Sequence, residues 1–398
     1  MSSLFKILLS EAQAAFAEKY DRPAKWITVA PGRVNIIGEH TDYNEGFVFP
    51  MAIERYILIA AAPAVEADGL APETARFFSL ANGESVDVKI EGEILPEEKP
   101  VWWSYVQGVI AGCLKREEPM NAEPFVAVIH CNIPIGGGLS SSAALEMAVA
   151  TLMENITGIT LDKVEKAFLC QKAEHEFARM PCGIMDQFIS CLGQRNHLML
   201  LDCRSREYEL VPFTASDLSI MIINSKVKHE LVGGEYAERR ASCFAAAEKL
   251  GAGFLRDVTP EMLEAGREKL TDVEYRRARH VVSEDARTLA AAEAIRAGDY
   301  EKMGEMMYAS HASLRDDYEV SCPEIDLIVE IAREIGKDGG VYGCRITGGG
   351  FGGCAVALVE TEKRDAIMDK IVTDYKKKTG ILPEVFVSRP EQGAKVVL

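Results

Sequence analysis

Arg33, Glu39, His40 and Asp42 fall in one short run, Ala30-Pro-Gly-Arg-Val-Asn-Ile-Ile-Gly-Glu-His-Thr-Asp-Tyr43. A guanidinium, two carboxylates and an imidazole set among glycines and short apolar residues make a grip for a polyhydroxylated ligand. Carboxylates accept from hydroxyls, while Arg and His beside them supply donors. A surface loop could be equally polar, and so could a strand. Neither needs Pro-Gly-Arg followed by a Gly-Glu-His-Thr-Asp turn.

A second group, Ile133-Pro-Ile-Gly136-Gly137-Gly138-Leu139-Ser140-Ser141-Ser142, lies between an apolar strand-like run (Phe125 to Cys131) and a helical run that begins at Ser140. A helix N-terminus offers free N–H groups and the positive end of the dipole, so it holds a phosphate without a lysine. Glycines let the backbone come close to the anion, and the serines add hydroxyl donors or a metal ligand. One serine would serve as the N-cap in any case. The loop has no Gly-Lys-Ser/Thr of the Walker type, and Ser141 stands where a dinucleotide-binding fingerprint would carry its last glycine.

Two further carboxylates stand out. Pro181 and Gly183 break the chain, which places Asp186 in the first turn of the next helix. The helix dipole alone favours a carboxylate there. Ile184, Met185, Phe188 and Ile189 surround it in sequence, which suggests a half-buried acid with a purpose. Glu174 belongs to a helical Ala-Glu-His-Glu stretch, where a solvated face is the plain alternative. Near the end, Arg345-Ile-Thr-Gly348-Gly-Gly-Phe351-Gly-Gly353-Cys354 holds more glycine between two apolar strands than a hairpin turn requires.

The elements that must position these residues alternate along the chain. Leu4, Ile7, Leu8, Ala12 and Phe16 have helical spacing, which predicts a first helix. Trp26 to Ala30, Tyr56 to Ala62 and Phe125 to Cys131 read as strands, with helices at Trp103 to Leu114 and Leu161 to Phe177. Residues His197 to Asp202 and Glu207 to Pro212 alternate as a hairpin. Leu218 to Ile223 reads as a buried strand, and a Gly233-Gly234 loop leads into helices from Tyr236 to about Ile335. The end returns to strands at Val341 to Ile346, Cys354 to Val359 and Val385 to Val387. At 398 residues the chain exceeds one ordinary core. Two α+β domains, 1–212 and 213–398, are expected.

A net charge of −17 disfavours nucleic acid and anionic membranes as partners, while an anionic nucleotide could still be held by local donors and a divalent cation. Ten cysteines without a CxxC pair read as reduced thiols of a cytoplasmic protein. Charged residues interrupt Met1 to Tyr20, so it reads as an amphipathic helix and not a signal peptide.

The opening run resembles the signature of the galactokinases, and the glycine–serine loop resembles the second motif of the GHMP kinases to which they belong. The Pro-Cys-Gly-Ile-Met-Asp-Gln run and the late glycine-rich run resemble the family at their own places, in the family's order. Glu45, Phe47 and Phe49 are small departures. The resemblance implies a two-domain fold, ribosomal-protein-S5-domain-2-like then ferredoxin-like, with the active site between the domains. It implies a 1-kinase for galactose using MgATP, with Asp186 as base and Arg33 stabilising charge. Glu39, His40, Asp42, Gly183, Tyr236, Arg33 and Asp186 would hold the sugar. Gly136 to Ser142 would hold ATP, Trp102 would stack on adenine, and Ser142 with Glu174 would bind Mg²⁺. A kinase for N-acetylgalactosamine or another pyranose, a sugar sensor and a kinase for an acidic substrate are the alternatives. A monomer or weak homodimer is expected.

Overall fold

The computed structural model describes residues 3–228 and 232–398. A six-stranded sheet dominates the first part of the chain. It contains β1 (Trp26–Asn35), β3 (Pro50–Pro63), β4 (Thr74–Ser79), β5 (Ser85–Lys89) and β6 (Phe125–Cys131), while β2 (Phe47–Val48) lies outside it. A second, three-stranded sheet joins β2 to the hairpin β7 (His197–Asp202) and β8 (Tyr208–Pro212). A third, antiparallel sheet has the order β10-β11-β9-β12, from β9 (Leu218–Lys228), β10 (Val341–Thr347), β11 (Gly352–Glu360) and β12 (Glu384–Ser388). The last strand, β13 (Lys395–Val396), returns to pair with β1, so the chain's end joins the first sheet.

Strand β3 reads Ile-Leu-Ile-Ala-Ala-Ala in its second half because both of its faces are covered, the usual reason for a continuous apolar strand. On one face lies α1 (Ser3–Tyr20). On the other lie α2 (Ser104–Leu114), α3 (Ser141–Thr157), α4 (Lys163–Phe177) and α5 (Met185–Leu192). The buried stripe of α1 is Phe5, Leu8, Ala12 and Phe16; Leu4 and Ile7, which the helical spacing placed in it, are exposed. Phe5 replaces them because its ring meets Tyr56 edge-on from β3.

Around the third sheet pack α6 (Val232–Lys249), α7 (Pro260–Ala265), α8 (Asp272–Ala297), α9 (Tyr300–Asp316), α10 (Pro323–Ile335) and α11 (Arg364–Thr379). Helix α6 starts at Val232, so Gly233 and Gly234 lie within its first turn and not in a loop before it. Strands β4 and β5 are short but alternate, β4 in burial and β5 in its Ser-Val-Asp-Val-Lys run, and neither is among the strands expected from the sequence. No described helix is long and apolar enough to cross a membrane.

The two parts interlock. Ala291, Ala292, Ile295, Met303 and Met307 of α8 and α9 belong to the core of the first sheet, while Tyr43 belongs to the core of the second unit. Where α9 meets β10 the backbones nearly touch: a Cβ on Gly304 would lie 2.0 Å from the Tyr342 carbonyl oxygen. Gly304→Ala is therefore expected to lower the unfolding free energy by about 1–3 kcal/mol, the range for overpacking. The measurement is the urea midpoint, and an unchanged midpoint would contradict this close approach.

Candidate active site

Arg33 lies just past a break in the β1–β3 ladder, where pairing resumes opposite Ala52. The register between β1 and β3 shifts between Pro31 and Arg33, since proline has no N–H to pair. The Arg33 N–H donates to the Leu139 carbonyl at 3.1 Å, which ties the strand to the glycine–serine loop. The guanidinium then forks onto Asp186, Nε to Oδ1 at 2.8 Å and Nη2 to Oδ2 at 2.9 Å. Its remaining arm, Nη1, reaches the Gly138 carbonyl at 2.5 Å. One buried cation thus joins the strand, the loop and the start of α5.

Ser140 occupies the N-cap position of α3 but does not cap it. Its backbone is left-handed (φ 57°, ψ 50°), and its hydroxyl donates to Asp186 instead of accepting a helix N–H. The first N–H groups of a seventeen-residue helix therefore face the cleft without a side-chain partner. Gly138, also at positive φ, continues this loop.

The turn after β1 brings in the remaining acids. Glu39 Oε1 accepts from the Gly348 N–H at 2.8 Å and the Thr347 hydroxyl at 3.0 Å, with Arg345 Nη1 at 3.4 Å. The late glycine-rich segment thus orients the Glu39 carboxylate. It also approaches the phosphate-type loop, where a Cβ on Gly348 would lie 2.7 Å from the Gly138 oxygen. Asp42 opens a short 3-10 turn and accepts from the Tyr43 N–H at 2.9 Å. Its carboxylate fills the place of a side chain at Gly183, where a Cβ would sit 1.8 Å from Oδ2. Helix α8 holds the same turn from behind: Glu284 accepts from Gly38 N–H, His280 Nε2 bonds the Glu39 carbonyl, and Asp285 accepts from Phe47 N–H.

These groups wall a cleft of about 280 Å³. Arg33, Glu39, His40, Asp42, Gly183, Asp186 and Tyr236 line it together with Glu174. So do Gly136, Gly138, Leu139, Ser140, Ser141 and Ser142. Gly137 is not in this lining; it faces Asn224 and Cys354. Trp102 is not in it either, because its indole N–H donates to Glu84 at 2.9 Å and its ring packs edge-on against Trp103. Tyr105, three residues on and in the first turn of α2, lines the cleft in its stead.

The cleft is crowded with negative charge. Burial, then the Asp186 carboxylate, pushes Asp42 up to about 7. Burial and Asp186 likewise push Glu174 up to about 7. Behind it Glu146, fully buried on α3, is pushed well above the carboxylate range by burial and then by Glu174. The Gln187 amide bridges the two, at 2.7 Å to Glu174 and 3.1 Å to Glu146. Burial, with His280 and Arg239 nearby, lowers His40 to about 3, so its ring is neutral. Such clustered perturbation inside a cleft marks a working site.

Sequence reasoning passed over Glu146, Gln187, Tyr105 and the α8 residues. Glu146 did have a signal, a carboxylate four residues after Ser142 in an otherwise apolar helix, hence on the same face.

A glycine–serine loop opening onto an uncapped helix, with a carboxylate opposite, is the arrangement of a GHMP kinase. The N-terminal domain description of the GHMP kinases matches residues 104–194 and the C-terminal one residues 291–377. Within that class the galactokinase galactose-binding signature matches residues 14–63. Human galactokinase is 44% identical over 397 residues, covering 98% of this chain and 97% of its own length. The galactokinase of Bos taurus is 44% identical over 399 residues, with 98% and 97% covered. The crystal structure of Lactococcus lactis galactokinase complexed with galactose superposes with a TM-score of 0.89 at 32% identity, covering 97% of this chain and 99% of that one. The chain belongs to the galactokinase family. Methanococcus jannaschii mevalonate kinase, at 19% identity and a TM-score of 0.66 over 92% and 98% of the two chains, shares the fold.

Gly183→Ala must displace the Asp42 carboxylate, so the KM for the sugar is expected to rise by about tenfold or more, the value of a lost charged hydrogen bond. Steady-state kinetics with galactose varied checks this; an unchanged KM would remove the Asp42–Gly183 contact from sugar binding.

Proposed function

We propose that this chain transfers the γ-phosphoryl group of MgATP to the C1 hydroxyl of α-D-galactose, giving galactose 1-phosphate and ADP. The observation that carries this is the Arg33–Asp186 fork, set between the polar Glu39–His40–Asp42 turn and the open N-terminus of α3. A sugar held by the turn, Tyr236 and the Gly183 main chain would present a hydroxyl to Asp186. A triphosphate laid on the loop from Gly136 to Ser142 would meet it from the helix side.

In the proposed reaction Asp186 takes the hydroxyl proton as the phosphoryl group arrives. A sugar hydroxyl is a weak acid and a carboxylate a weak base, so the proton moves late, which a loose phosphoryl-transfer transition state permits. Protonation of Asp186 weakens its hold on Arg33. The guanidinium's charge then becomes available to the transferring group at the moment negative charge develops there. Positioning and charge stabilisation therefore carry most of the rate.

Hard oxygen donors suit Mg²⁺, which takes one or two protein ligands and completes its shell with phosphates and water. Ser142 and Glu174 fit that role. Glu174 is a buried carboxylate with its affinity for protons raised and the Ser142 hydroxyl beside it. Among the described residues no group of three or more acidic, His or Cys side chains forms an all-protein cage. When bound, Mg²⁺ would offset phosphate charge. The ten cysteines are all free and mostly buried, which suits a reducing cytoplasmic setting.

Two outcomes test this reading. Asp186→Asn should cut kcat by about 10²–10⁴-fold, the range for loss of a general base, with ATP affinity little changed. In a panel of galactose, N-acetylgalactosamine, glucose, arabinose and mevalonate, galactose should show the highest kcat/KM; another winner would refute the specificity.

A pH prediction follows from the raised carboxyls. Asp42 and Glu174, near 7 in the ligand-free fold, remain protonated where the unfolded chain has already ionised. Their contribution to stability is therefore full only below the unfolded-state range of roughly 4, falls progressively through mild acid and is gone once pH has risen through about 7. Mg²⁺ alone should raise Tm more at pH 8 than at pH 6. Equal gains at the two pH values, or an undiminished gain in Glu174→Gln, would remove Glu174 from the metal site.

A further inference from the structure

His40 stands at the front of a buried hydrogen-bonded chain that the sugar-turn residues alone do not explain. Its backbone is left-handed at φ 63°, held by the Asn44 amide donating to its carbonyl at 2.8 Å. Its Nδ1 lies 2.7 Å from the Tyr43 hydroxyl. That hydroxyl lies 2.8 Å from the hydroxyl of Tyr318, which in turn meets Cys243 Sγ at 3.1 Å. Tyr43, Tyr318 and Cys243 are buried and none of them lines the cleft. The rings pack as a block, with His40 4.7 Å from Tyr318 and 5.6 Å from Tyr236, and Tyr318 4.5 Å from His280.

The other ring nitrogen of His40, Nε2, is buried in the cleft wall with no hydrogen-bond partner. The Gly349 main chain favours a proton on the ring without making a well-formed bond to Nε2.

We propose that Tyr43 and Tyr318 are positioning residues that fix the tautomer of His40, so that Nε2–H faces the cleft as a hydrogen-bond donor to a sugar oxygen. The direction is set at the phenol–imidazole end. A phenol is the better donor and an imidazole nitrogen the better acceptor, so the Tyr43 O–H donates to Nδ1. Tyr43 oxygen is then free to accept from Tyr318, and Tyr318 oxygen from the thiol. The thiol is a weak donor that also lies beside Asn44, and it is the least committed link. With Nδ1 an acceptor, the proton of the neutral ring must sit on Nε2.

The consequence is a polarity code in the cleft. Glu39 and Asp42 accept from hydroxyls, whereas His40 donates to an oxygen lone pair. A sugar hydroxyl that lies between them can satisfy both at once. A reversed relay would leave the ring an acceptor among acceptors, competing with the carboxylates for the same protons.

This rests on the reading that His40 faces the sugar. The experiment uses the full chain labelled with ¹⁵N-histidine, in which His40→Ala identifies the His40 signal among seven histidines. Long-range ¹H–¹⁵N spectra should show His40 as the Nε2–H tautomer at neutral pH, and Tyr43→Phe should remove that bias. In kinetics Tyr43→Phe should raise the galactose KM roughly tenfold, while kcat and the MgATP KM move by less than about twofold. Tyr318→Phe should raise it in the same direction by less.

An Nδ1–H tautomer in the unaltered protein, or an unchanged galactose KM in Tyr43→Phe, would overturn the proposal. So would a parallel fall in kcat, both affinities and Tm, which is what a merely structural pair of tyrosines would give. His40→Ala separates the two levels. If it leaves the galactose KM unchanged, the reading of the turn fails. If it raises the KM while Tyr43→Phe does not, only the relay fails.

Discussion

Arg33 carries positive charge into a cleft otherwise dominated by acids, and the arrangement of the site depends on how that guanidinium is divided. Asp42, Glu146, Glu174 and Asp186 all act electrostatically on this small volume, and burial strengthens their mutual repulsion. Two arms of Arg33 hold Asp186 and the third holds the Gly138 carbonyl, an allocation only a planar fork can make. A lysine would neutralise one acid and lose the side-chain tie to Gly138, leaving only the main-chain bond to Leu139. The remaining shortage of positive charge is itself informative. A cleft this acidic, in a chain of net charge −17, would repel a bare nucleotide, which is the electrostatic argument for the proposed Mg²⁺.

The second unit does more than close the cleft. Glu284 is fully buried and accepts from Gly38 N–H, Ser310 and Arg287. Burial opposes its charge, but Arg287, His280 and Arg345 together outweigh that and hold it at about 2. A permanently ionised carboxylate is thus spent on one main-chain N–H of the sugar turn. With Asp285 on Phe47 and His280 on the Glu39 carbonyl, α8 fixes the turn at three backbone atoms. Arg345 and Thr347 fix its acid from β10. The turn belongs to the first unit by sequence and to the second by its hydrogen bonds.

That division explains what could be read from the sequence. The long elements were legible because each carries its own period: α2, α3 and α4, the β7–β8 hairpin, β9 and the β10–β11 pair. The site residues near one another in sequence were legible as chemistry, since a run such as Gly-Glu-His-Thr-Asp has few other uses. What stayed hidden depends on partners far along the chain. Nothing local to α8 says that Glu284 meets Gly38, and the short alternation in β4 does not say that it runs parallel to β6. Trp102 and Tyr105 show the same limit at finer grain. Both are aromatic and close in sequence, yet Trp102 lies in the turn before α2 and bonds Glu84, whereas Tyr105 lies in the first turn of α2 and lines the cleft.

The backbone records where function overrides local preference. His40, Ser140 and Phe351 all take left-handed conformations that non-glycine residues avoid at a cost of about 1–2 kcal/mol each. Each is overdetermined by contacts from elsewhere. Asn44 and Tyr43 grip His40, Asp186 draws the Ser140 hydroxyl, and Phe351 donates its N–H to Val320 while Arg239 lies over its ring. Ser140 gives up a second contribution of about 1 kcal/mol by declining to cap its own helix. A serine there could have stabilised α3 at no structural expense. Turned instead onto Asp186, it leaves the helix N-terminus open to an anion and adds a third donor beside the two from Arg33. The same conformational choice therefore prepares both the phosphate side and the acid that faces it.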